Sequence, residues 1–352
     1  MVFEIRNPYA RYVLRKGVFY AGLWFAAVFL NFLLPRMMPG DPIRLWLENL
    51  LSISGQFGAS GGIPASLEGA ERYYDHYVRM FALDRPPYEQ FIPWLVNFLR
   101  GDWGVSLAFW PRPVIELVAT HMVYSLAILV PSLIVSWLVG NYLGAYIAFK
   151  GGKADKLGLA SLQWLALTPA YWLIIVLTFI FGFWLGWLPL TGRPYHVVPS
   201  LSLDFIVIQL KHWILPFTTI TLIGIGGWSI GMRAYVIYQL NSNYARYSKA
   251  LGLPDRVVAR YAFRNAIIPQ FTAFAINFGG LFAGNLLVEA TFGYPGMGAL
   301  LASLIGRLDI FAMQALFTFT ATMLIIANFI ADALYGFIDP RIRRGIMEVV
   351  TR

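Results

Sequence analysis

Six long runs of apolar residues constrain this chain more than any other feature. The first run, GVFYAGLWFAAVFLNFLLPRMM, starts at Gly17, and five others cover approximately residues 122–149, 159–184, 213–238, 269–289 and 311–335. A helix of about 20 apolar residues crosses a hydrocarbon core about 30 Å thick while satisfying its own backbone hydrogen bonds. We therefore expect an all-α integral membrane protein with six transmembrane helices.

The composition supports a membrane protein, because 58% of the residues are hydrophobic and only 13% are charged. Soluble domains have about a quarter of their residues charged. The first run is longer than the ~7–15 apolar residues of a secretory signal, and no clear cleavage site follows it. We interpret it as a retained transmembrane helix. The absence of cysteine excludes disulfides and cysteine-ligated metals.

The distribution of charge predicts the orientation. Six spans place both termini on the same side, and the flanks on that side are rich in basic residues, among them Arg11, Lys16, Lys153, Arg260 and Arg343. The opposite flanks carry many more carboxylates. The positive-inside rule therefore predicts a multi-pass protein of the cell (cytoplasmic) membrane with cytoplasmic N- and C-termini.

These observations divide the chain into four parts. Residues 1–38 hold the cytoplasmic N-terminus and the first span, residues 39–121 form an external segment, 122–340 form a five-helix core, and 341–352 are a cytoplasmic tail. The external segment contains a Gly/Ser-rich stretch and two stretches with helical spacing, ERYYDHYVRMFAL and PYEQFIPWLVNFL. We expect a small external helical subdomain that either covers the spans or docks an external partner. The second external connection, near 188–212, is expected to be an irregular loop.

Sites for chemistry are lacking in the sequence. It contains no G-x-x-x-x-G-K-[ST] loop, and its four histidines show no metal-ligand spacing. We therefore expect no catalytic residue and no metal site. The middle thirds of the spans are nearly free of charge, which disfavours an ion relay. Arg233, Glu289 and Asp332 lie near predicted helix ends and are interpreted as anchoring or interhelical groups, with a relay role left open for Glu289.

Glycine pairs spaced four apart recur in the spans, as GNYLG, GFWLG, GWSIG and GLFAG. Such pairs allow helix backbones to approach closely. In the fifth span, four residues are candidates for the transport pathway or for helix packing: Asn277, Gly280, Gly284 and Glu289.

A polar segment, residues 243–269, separates the fourth and fifth runs on the predicted cytoplasmic side. Tyr244, Tyr247 and Leu251 recur at helical spacing, and Gly252 then suits the end of a helix. Pro254 suits the start of a second helix. We therefore expect a corner between two helices, the second of which runs into the fifth span at Pro269.

The second helix places Arg256, Arg260 and Arg264 on one face, with Val257, Tyr261 and Ile268 on another. An amphipathic helix of this kind either lies on anionic lipid or inserts an apolar ridge into a groove on a partner. The pattern of residues leaves both alternatives open.

The segment YSKALGLPDRVVARYAFRNAIIP resembles the cytoplasmic coupling loop, or EAA motif, of ABC importer permeases. Gly252, Arg264, Asn265 and Pro269 match its fixed positions, and Ala250 and Leu253 fit its small and apolar neighbours. Further motifs occur in family order along nearly the whole chain: MPGDP, ALDRPPYEQF, WLVNFLRGDWGVSL, VEATFGYPGMGALL and DPRIRRG. Together they resemble the oligopeptide/dipeptide permease family, in the form of the first of its two paired permeases, which has an extended first external segment.

The resemblance implies the type I ABC importer permease fold and a transport subunit that is not an enzyme. The implied partners are a second homologous permease, two cytoplasmic ABC ATPases, an external substrate-binding protein and membrane lipids, with no nucleic acid. It also implies that this chain binds no cofactor, since ATP and magnesium belong to the ATPases. The implied ATPase-coupling residues are Tyr244, Tyr247, Ala250, Leu251, Gly252, Leu253, Arg264, Asn265 and Pro269.

Substrate and energy source leave alternatives. The family is associated with peptides, nickel chelates and oligosaccharides, and Trp103, Trp110 and Trp187 near the outer face could stack on sugars or form an interfacial belt. We expect an importer of oligopeptides or similar small solutes. An oligosaccharide importer is the alternative, an ion-coupled carrier is a more remote one, and a membrane enzyme is disfavoured.

Overall fold

A computed structural model describes residues 8–37, 84–192 and 202–338, together with isolated positions between 43 and 79. Throughout these residues the regular structure is helical, apart from a single antiparallel bridge between Val105 and Pro113. The expected all-α fold is confirmed. The predicted helical stretch ERYYDHYVRMFAL and the tail at 341–352 lie largely or wholly outside the described residues.

The helices vary widely in length because some cross the membrane and others lie in the connections. In chain order they are α1 (Pro8–Met37), α2 (Pro87–Leu99), α3 (Val114–Lys150), α4 (Gly152–Leu167), α5 (Ala170–Leu177), α6 (Leu203–Leu240), α7 (Asn243–Ala250), α8 (Asp255–Gly280), α9 (Leu286–Phe292), α10 (Met297–Gly306) and α11 (Ile310–Ile338). A π-helical stretch, Thr178–Trp184, continues α5, and a 3₁₀ turn, Leu281–Ala283, continues α8.

Five of these helices, α1, α3, α6, α8 and α11, are long and apolar enough to cross a membrane. The sixth candidate span consists of α4 and of α5 with its π-helical continuation, which meet at a bend of 97°. The six apolar runs therefore correspond to six candidate spans.

The bend corrects the prediction of one continuous helix over 159–184. Pro169 disfavours the helical conformation at the preceding residue, and Thr168 is extended with ψ 126°. The Thr168 hydroxyl donates a hydrogen bond to the Trp164 carbonyl at 2.6 Å, which satisfies a group at the end of α4. The apolar run hid this break because hydrophobicity alone carries no information about backbone direction.

Two other boundaries differ from the prediction. α6 starts at Leu203, ten residues before the predicted start of the fourth span, and the Ser202 hydroxyl caps it by accepting a hydrogen bond from Phe205 N at 3.3 Å. The predicted fifth span, 269–289, is also displaced. α8 starts at Asp255, passes through Pro269 and ends at Gly280, so Glu289 lies in the separate helix α9.

The described residues form two compact units. The first contains the described residues up to His121 together with Leu300–Ile326, and the second contains Met122–Ala299 and the described residues from Ala327 onward.

In the first unit, polar contacts join α1 to α11. Trp24 Nε1 donates to Thr322 Oγ1 at 2.9 Å, and Asn31 Nδ2 donates to Thr318 Oγ1 at 2.5 Å and to the Gln314 carbonyl at 2.8 Å. Unpaired polar groups are costly in hydrocarbon, and these contacts pair them between helices. They fix the register of one helix against the other.

The loop after α2 in the same unit is fastened by Asp309. Its Oδ1 caps α11 by accepting from Ala312 N at 3.1 Å, and its Oδ2 accepts from Ser106 Oγ at 2.5 Å and from Ala108 N at 2.9 Å. Burial raises the pKa of the Asp309 carboxyl, while these hydrogen bonds oppose the rise. The nearby Arg307 donates to the Ala108 carbonyl at 2.7 Å. Part of the segment 39–121, which the sequence predicts to be external, is therefore held mainly by the buried side chains of Asp309 and Ser106.

In the second unit, α3 and α6 run parallel and approach closely at small residues. A Cβ added to Gly140 would lie 2.7 Å from the Cβ of Trp228, and one added to Gly144 would overlap the Ser229 backbone. Close approach at GNYLG is thus confirmed. Gly227 of GWSIG has nothing within 4 Å of an added Cβ and supports no such contact.

We expect Gly144→Ala to destabilise the protein by about 1–3 kcal/mol, because the added methyl group has no space beside the Ser229 backbone. Gly227→Ala is the matched control. It adds the same group to a neighbouring span at an open position, so its stability should be unchanged or slightly raised. Thermal unfolding of the detergent-purified protein, followed by tryptophan fluorescence, measures both. Equal midpoints for the two variants would contradict the packing.

Candidate functional site

The corner between α7 and α8 is built from backbone hydrogen bonds at the end of α7. Leu253 N donates to the Ser248 carbonyl at 3.2 Å, and Gly252 N donates to the Lys249 carbonyl at 2.9 Å. This pair of bonds is a Schellman motif, which places its C′ residue in the left-handed region. Gly252 occupies that position with φ +75°. The expected corner at Gly252 is therefore present.

The second arm of the corner starts at once. Pro254 precedes α8 in an extended conformation, and Asp255 lies in the first turn, where the helix dipole favours a negative charge. Lys249 Nζ approaches Asp255 Oδ1 at 3.4 Å across the corner, but both side chains are exposed. Such a pair contributes little, so the backbone motif carries the geometry.

The predicted apolar strip on α7 divides into two parts. Tyr247 and Leu251 are 67% and 62% exposed, and Ala250 and Leu253 are also exposed beside them. Tyr244 is half-buried, and its hydroxyl donates to Gln239 Oε1 at 3.0 Å. The exposed ridge therefore consists of Tyr247 and Leu251, while Tyr244 ties α7 back to the end of α6.

Ala245, which was not predicted from the sequence, is fully buried, so α7 packs against the rest of the protein at this residue. It is a small residue in a helix whose other side chains are mostly long, and this was the signal available in the sequence.

α8 presents its basic face outward. Arg256, Arg260, Arg264 and Asn265 are exposed, and Pro269 is half-buried within the helix. The packed face consists of four residues spaced four apart: Val258, Ala262, Ala266 and Gln270. The apolar face predicted from the sequence, with Val257, Tyr261 and Ile268, is a different one and is partly exposed. Alanines, being short, let α8 lie close to its neighbours, and Ala266 packs with Ala145, Met232 and Val236.

Gln270 also binds α8 to two other spans. Its Nε2 donates to the Trp228 carbonyl of α6 at 3.2 Å, and its backbone carbonyl accepts from Trp137 Nε1 of α3 at 3.2 Å. Its side chain is buried. The helix that leaves the corner is thus attached to the core about four turns from its start.

The helix that enters the corner is attached by an ion pair. Arg233 of α6 donates from Nε to Asp155 Oδ1 at 2.5 Å and from Nη2 to Asp155 Oδ2 at 2.6 Å. Asp155 lies in the first turn of α4. The interhelical role expected of Arg233 is confirmed. A bidentate pair fixes direction as well as distance, so α4 and the end of α6 are held together beside the corner.

The four pathway or packing candidates do not form one group. Asn277 and Gly280 are exposed on α8, and Asn277 Nδ2 donates to the Ala273 carbonyl of its own helix at 2.8 Å. Gly284, with φ +74°, and Glu289 lie instead in the turn that leads through α9 to α10. A Cβ on Gly284 would lie 2.8 Å from Gly298 N, which shows how tightly this turn is packed.

Glu289 is fully buried at the centre of this turn. Its Oε1 accepts from Ser125 Oγ at 2.7 Å and from Asn285 N at 3.1 Å, and its Oε2 accepts from Gly298 N at 2.7 Å. Ser125 Oγ accepts in turn from Met297 N at 2.7 Å. Burial raises the pKa of Glu289, and the hydrogen bonds oppose that shift. The sequence reasoning missed Ser125, which lies 164 positions away.

The three tryptophans that were expected near the outer face differ in exposure and packing. Trp103 stacks on Phe98 with ring centroids 4.9 Å apart, and its Nε1 donates to the Phe98 carbonyl at 3.0 Å. Trp110 and Trp187 are exposed. Trp103 therefore serves internal packing, which removes it as a free stacking surface.

Residues 140–344 match the family of the binding-protein-dependent transport system inner membrane component, and the chain belongs to that family. The match covers the bent span, the corner and the Glu289 turn.

Curated relatives extend the similarity over nearly the whole chain. The oligopeptide transport system permease protein AppB of Bacillus subtilis (strain 168) is 26% identical over 336 residues, 95% of this chain and 99% of that protein. The di/tripeptide transport system permease protein DppB of Pseudomonas aeruginosa (strain UCBPP-PA14) is 29% identical over 91% of this chain and 95% of its own length. The glutathione transport system permease protein GsiC of Escherichia coli (strain K12) is 28% identical over 94% and 98%. The resemblance to oligopeptide/dipeptide permeases is confirmed, and the chain is a transport subunit rather than an enzyme.

The Asp155–Arg233 pair should stabilise the protein more than the exposed Lys249–Asp255 pair. Arg233→Gln leaves the partly buried Asp155 carboxylate without its bidentate partner, so we expect a loss of about 1–3 kcal/mol. Lys249→Gln breaks an exposed pair and should change stability by less than about 0.5 kcal/mol. Denaturation midpoints of the purified variants give the comparison. Equal effects of the two substitutions would show that the Asp155–Arg233 pair does not fasten α4 to α6.

Proposed function

We propose that this chain is the permease subunit of an ATP-driven ABC importer and forms half of its translocation pathway. The observation that carries the proposal is the exposed corner at Gly252, in a chain of the binding-protein-dependent transport family. Its partners are a second homologous permease, two ABC ATPases that bind ATP and magnesium, and an external binding protein that delivers substrate. Both termini and the corner lie in the cytoplasm, and lipid surrounds the spans.

The corner suits a coupling element because it is exposed at its tip and fastened at both arms. Tyr247 and Leu251 form an apolar ridge that fits a hydrophobic groove, in the way that an amphipathic helix binds a partner. This favours a protein partner over anionic lipid for that ridge, while the basic face of α8 suits lipid headgroups. The nine coupling residues expected from the sequence keep their proposed role.

The helices on either side of the corner are bonded to other spans, and through these bonds a movement of the corner reaches the spans. α6, which enters the corner, is bound to α4 by the Asp155–Arg233 pair, and α8, which leaves it, is bound to α3 and α6 through Gln270. When ATP binding closes the ATPases, the corner moves with them and the spans change between inward-open and outward-open arrangements. Hydrolysis resets the cycle.

Peptides are the proposed substrates, because the names of the relatives specify oligopeptides, di- and tripeptides and glutathione. Oligosaccharides remain the alternative within the same kind of importer. The internal stacking of Trp103 gives that alternative less support.

Replacement of Gly252 tests the corner. Gly252→Val places a β-branched residue at φ +75°, which costs about 1–2 kcal/mol or more, although nothing lies within 4 Å of the new Cβ. Gly252→Asn is the matched control, because asparagine tolerates the left-handed region. In the assembled complex, Gly252→Val should lower uptake and substrate-stimulated ATPase activity roughly tenfold, and Gly252→Asn should retain most of both. Full coupling in Gly252→Val would contradict the role.

Reconstitution separates the importer from an ion-coupled carrier. Proteoliposomes containing the assembled complex should take up labelled tripeptides only with ATP and the binding protein, and unlabelled tripeptide should compete better than an oligosaccharide of similar mass. This chain alone, under a proton or sodium gradient, should give no uptake above empty liposomes. Gradient-driven uptake by the isolated chain would overturn the importer proposal, and competition by the sugar alone would change the substrate class.

A further inference from the structure

The turn between the fifth and sixth candidate spans is organised around the Glu289 carboxylate. Here the name carboxylate bracket is used for Ser125 together with residues 284–298. Ser125 belongs to α3, whereas Asn285, Glu289, Met297 and Gly298 come from the turn itself. The Ser125 hydroxyl and backbone N–H groups, among them those of Asn285 and Gly298, converge on this buried side chain.

The backbone of the bracket leaves no room for rearrangement around this carboxylate. A Cβ on Gly296 would overlap the Glu289 carboxylate and Ser125 Oγ, and a Cβ on Gly298 would overlap the backbone of Leu286. Glycine is therefore needed at both positions so that the chain can wrap closely around the acid. Such crowding indicates a site built to fix the position of the turn.

The same contacts argue against a proton relay. Backbone N–H groups cannot accept a proton, so among the described partners of the carboxylate only Ser125 Oγ could pass one on. The side chain has no exposed surface. A relay residue needs an acceptor and a path to water, and a fixing residue needs neither.

The bracket also holds the second external connection. Gly192 N donates to the Phe292 carbonyl at 2.7 Å, and Tyr294 N donates to the Glu289 backbone carbonyl at 2.8 Å. Gly192 lies so close to Tyr294 that an added Cβ would be 2.7 Å from its Cα. Movement of the bracket would therefore carry the end of this connection with it.

We propose that Glu289 is a positioning residue for transport, whose carboxylate fastens residues 284–298 to Ser125 so that this turn moves with α3 as one piece. The proposal rests on the proposed importer function. In this mechanism Glu289 neither binds substrate nor transfers a proton. It holds the turn against α3, so that when α3 changes its tilt the turn moves by the same amount.

The first test measures substrate transported per ATP hydrolysed by the assembled complex. Glu289→Gln and Ser125→Ala should each lower this ratio at least about tenfold. Glu289→Gln replaces one of the two acceptor oxygens by an amide NH₂ group, and Ser125→Ala removes the hydroxyl that donates to the carboxylate. The double variant should be no worse than the more affected single variant, since both act through one contact. Ser132→Ala is the matched control, because it makes the same change on the same helix away from the bracket.

The second test measures the bracket directly and does not depend on transport. The chain contains no cysteine, so Val123→Cys and Thr291→Cys, both at exposed positions, accept a single pair of spin labels. The distance distribution in the complex should be narrow with Ser125 and Glu289 intact. It should broaden in Ser125→Ala and in Glu289→Gln, and it should stay narrow in Ser132→Ala.

The outcomes separate the possibilities. A loss of transport in Glu289→Gln with full coupling in Ser125→Ala would overturn positioning and favour a role for the charge itself. An unchanged distance distribution in both variants would overturn the bracket. If the unaltered complex shows no ATP-dependent uptake, the proposed function fails, whereas the distance measurement still decides whether Glu289 fixes the turn.

Discussion

The membrane gives a buried polar group no water to bond with, and the helices of this protein are arranged so that such groups meet one another. In the first unit, Trp24 of α1 donates a hydrogen bond to Thr322 of α11. Asn31 of α1 donates to Thr318 and to the Gln314 carbonyl of the same helix. In the second unit, the partly exposed Arg233 pairs with Asp155 near the helix ends. Hydrophobic burial does not favour helix association in lipid, because lipid tails are as apolar as leucine. The polar contacts and the close glycine approaches therefore determine which helices are neighbours.

The sequence predicted the features that depend on local chemistry. The spans follow from the length of apolar runs, and the corner follows from Gly252 and Pro254, because a left-handed cap and a helix start each require particular residues. The bend at Pro169 was equally local, but it lies inside an apolar run, whose length hid it. Helix starts such as Leu203 differ from the prediction because a helix extends beyond its apolar part when a capping serine is available.

Contacts between residues far apart in the sequence could not be predicted from the residues taken one at a time. Glu289 stood out in the sequence as an acid near an apolar run, but nothing near it indicated Ser125, 164 positions earlier. In the same way, Val258, Ala262 and Ala266 form the packed face of α8 because short side chains admit neighbouring helices. The apolar face visible in the sequence, with Tyr261 and Ile268, is a separate and exposed one, and nothing in the sequence marked the short residues as the packed face. Close packing between membrane helices rewards small residues, and this reverses the rule that serves for soluble helices.

Glycine has two separate uses in this protein, one in backbone conformation and one in close packing. At Gly252 the backbone has φ +75° and open space around it, so glycine there serves conformation alone. At Gly296 and Gly298 the surroundings leave no space for a side chain, so glycine there permits contact. An element that transmits force to a partner has to be exposed and rigid. A turn that moves together with a span has to be bonded to that span at several points. The corner meets the first condition through its backbone motif, and the carboxylate bracket meets the second through Glu289. The corner and the carboxylate bracket are both attached to spans of the second unit. Under the proposed function, these spans therefore connect a movement of the corner with the position of the Glu289 turn.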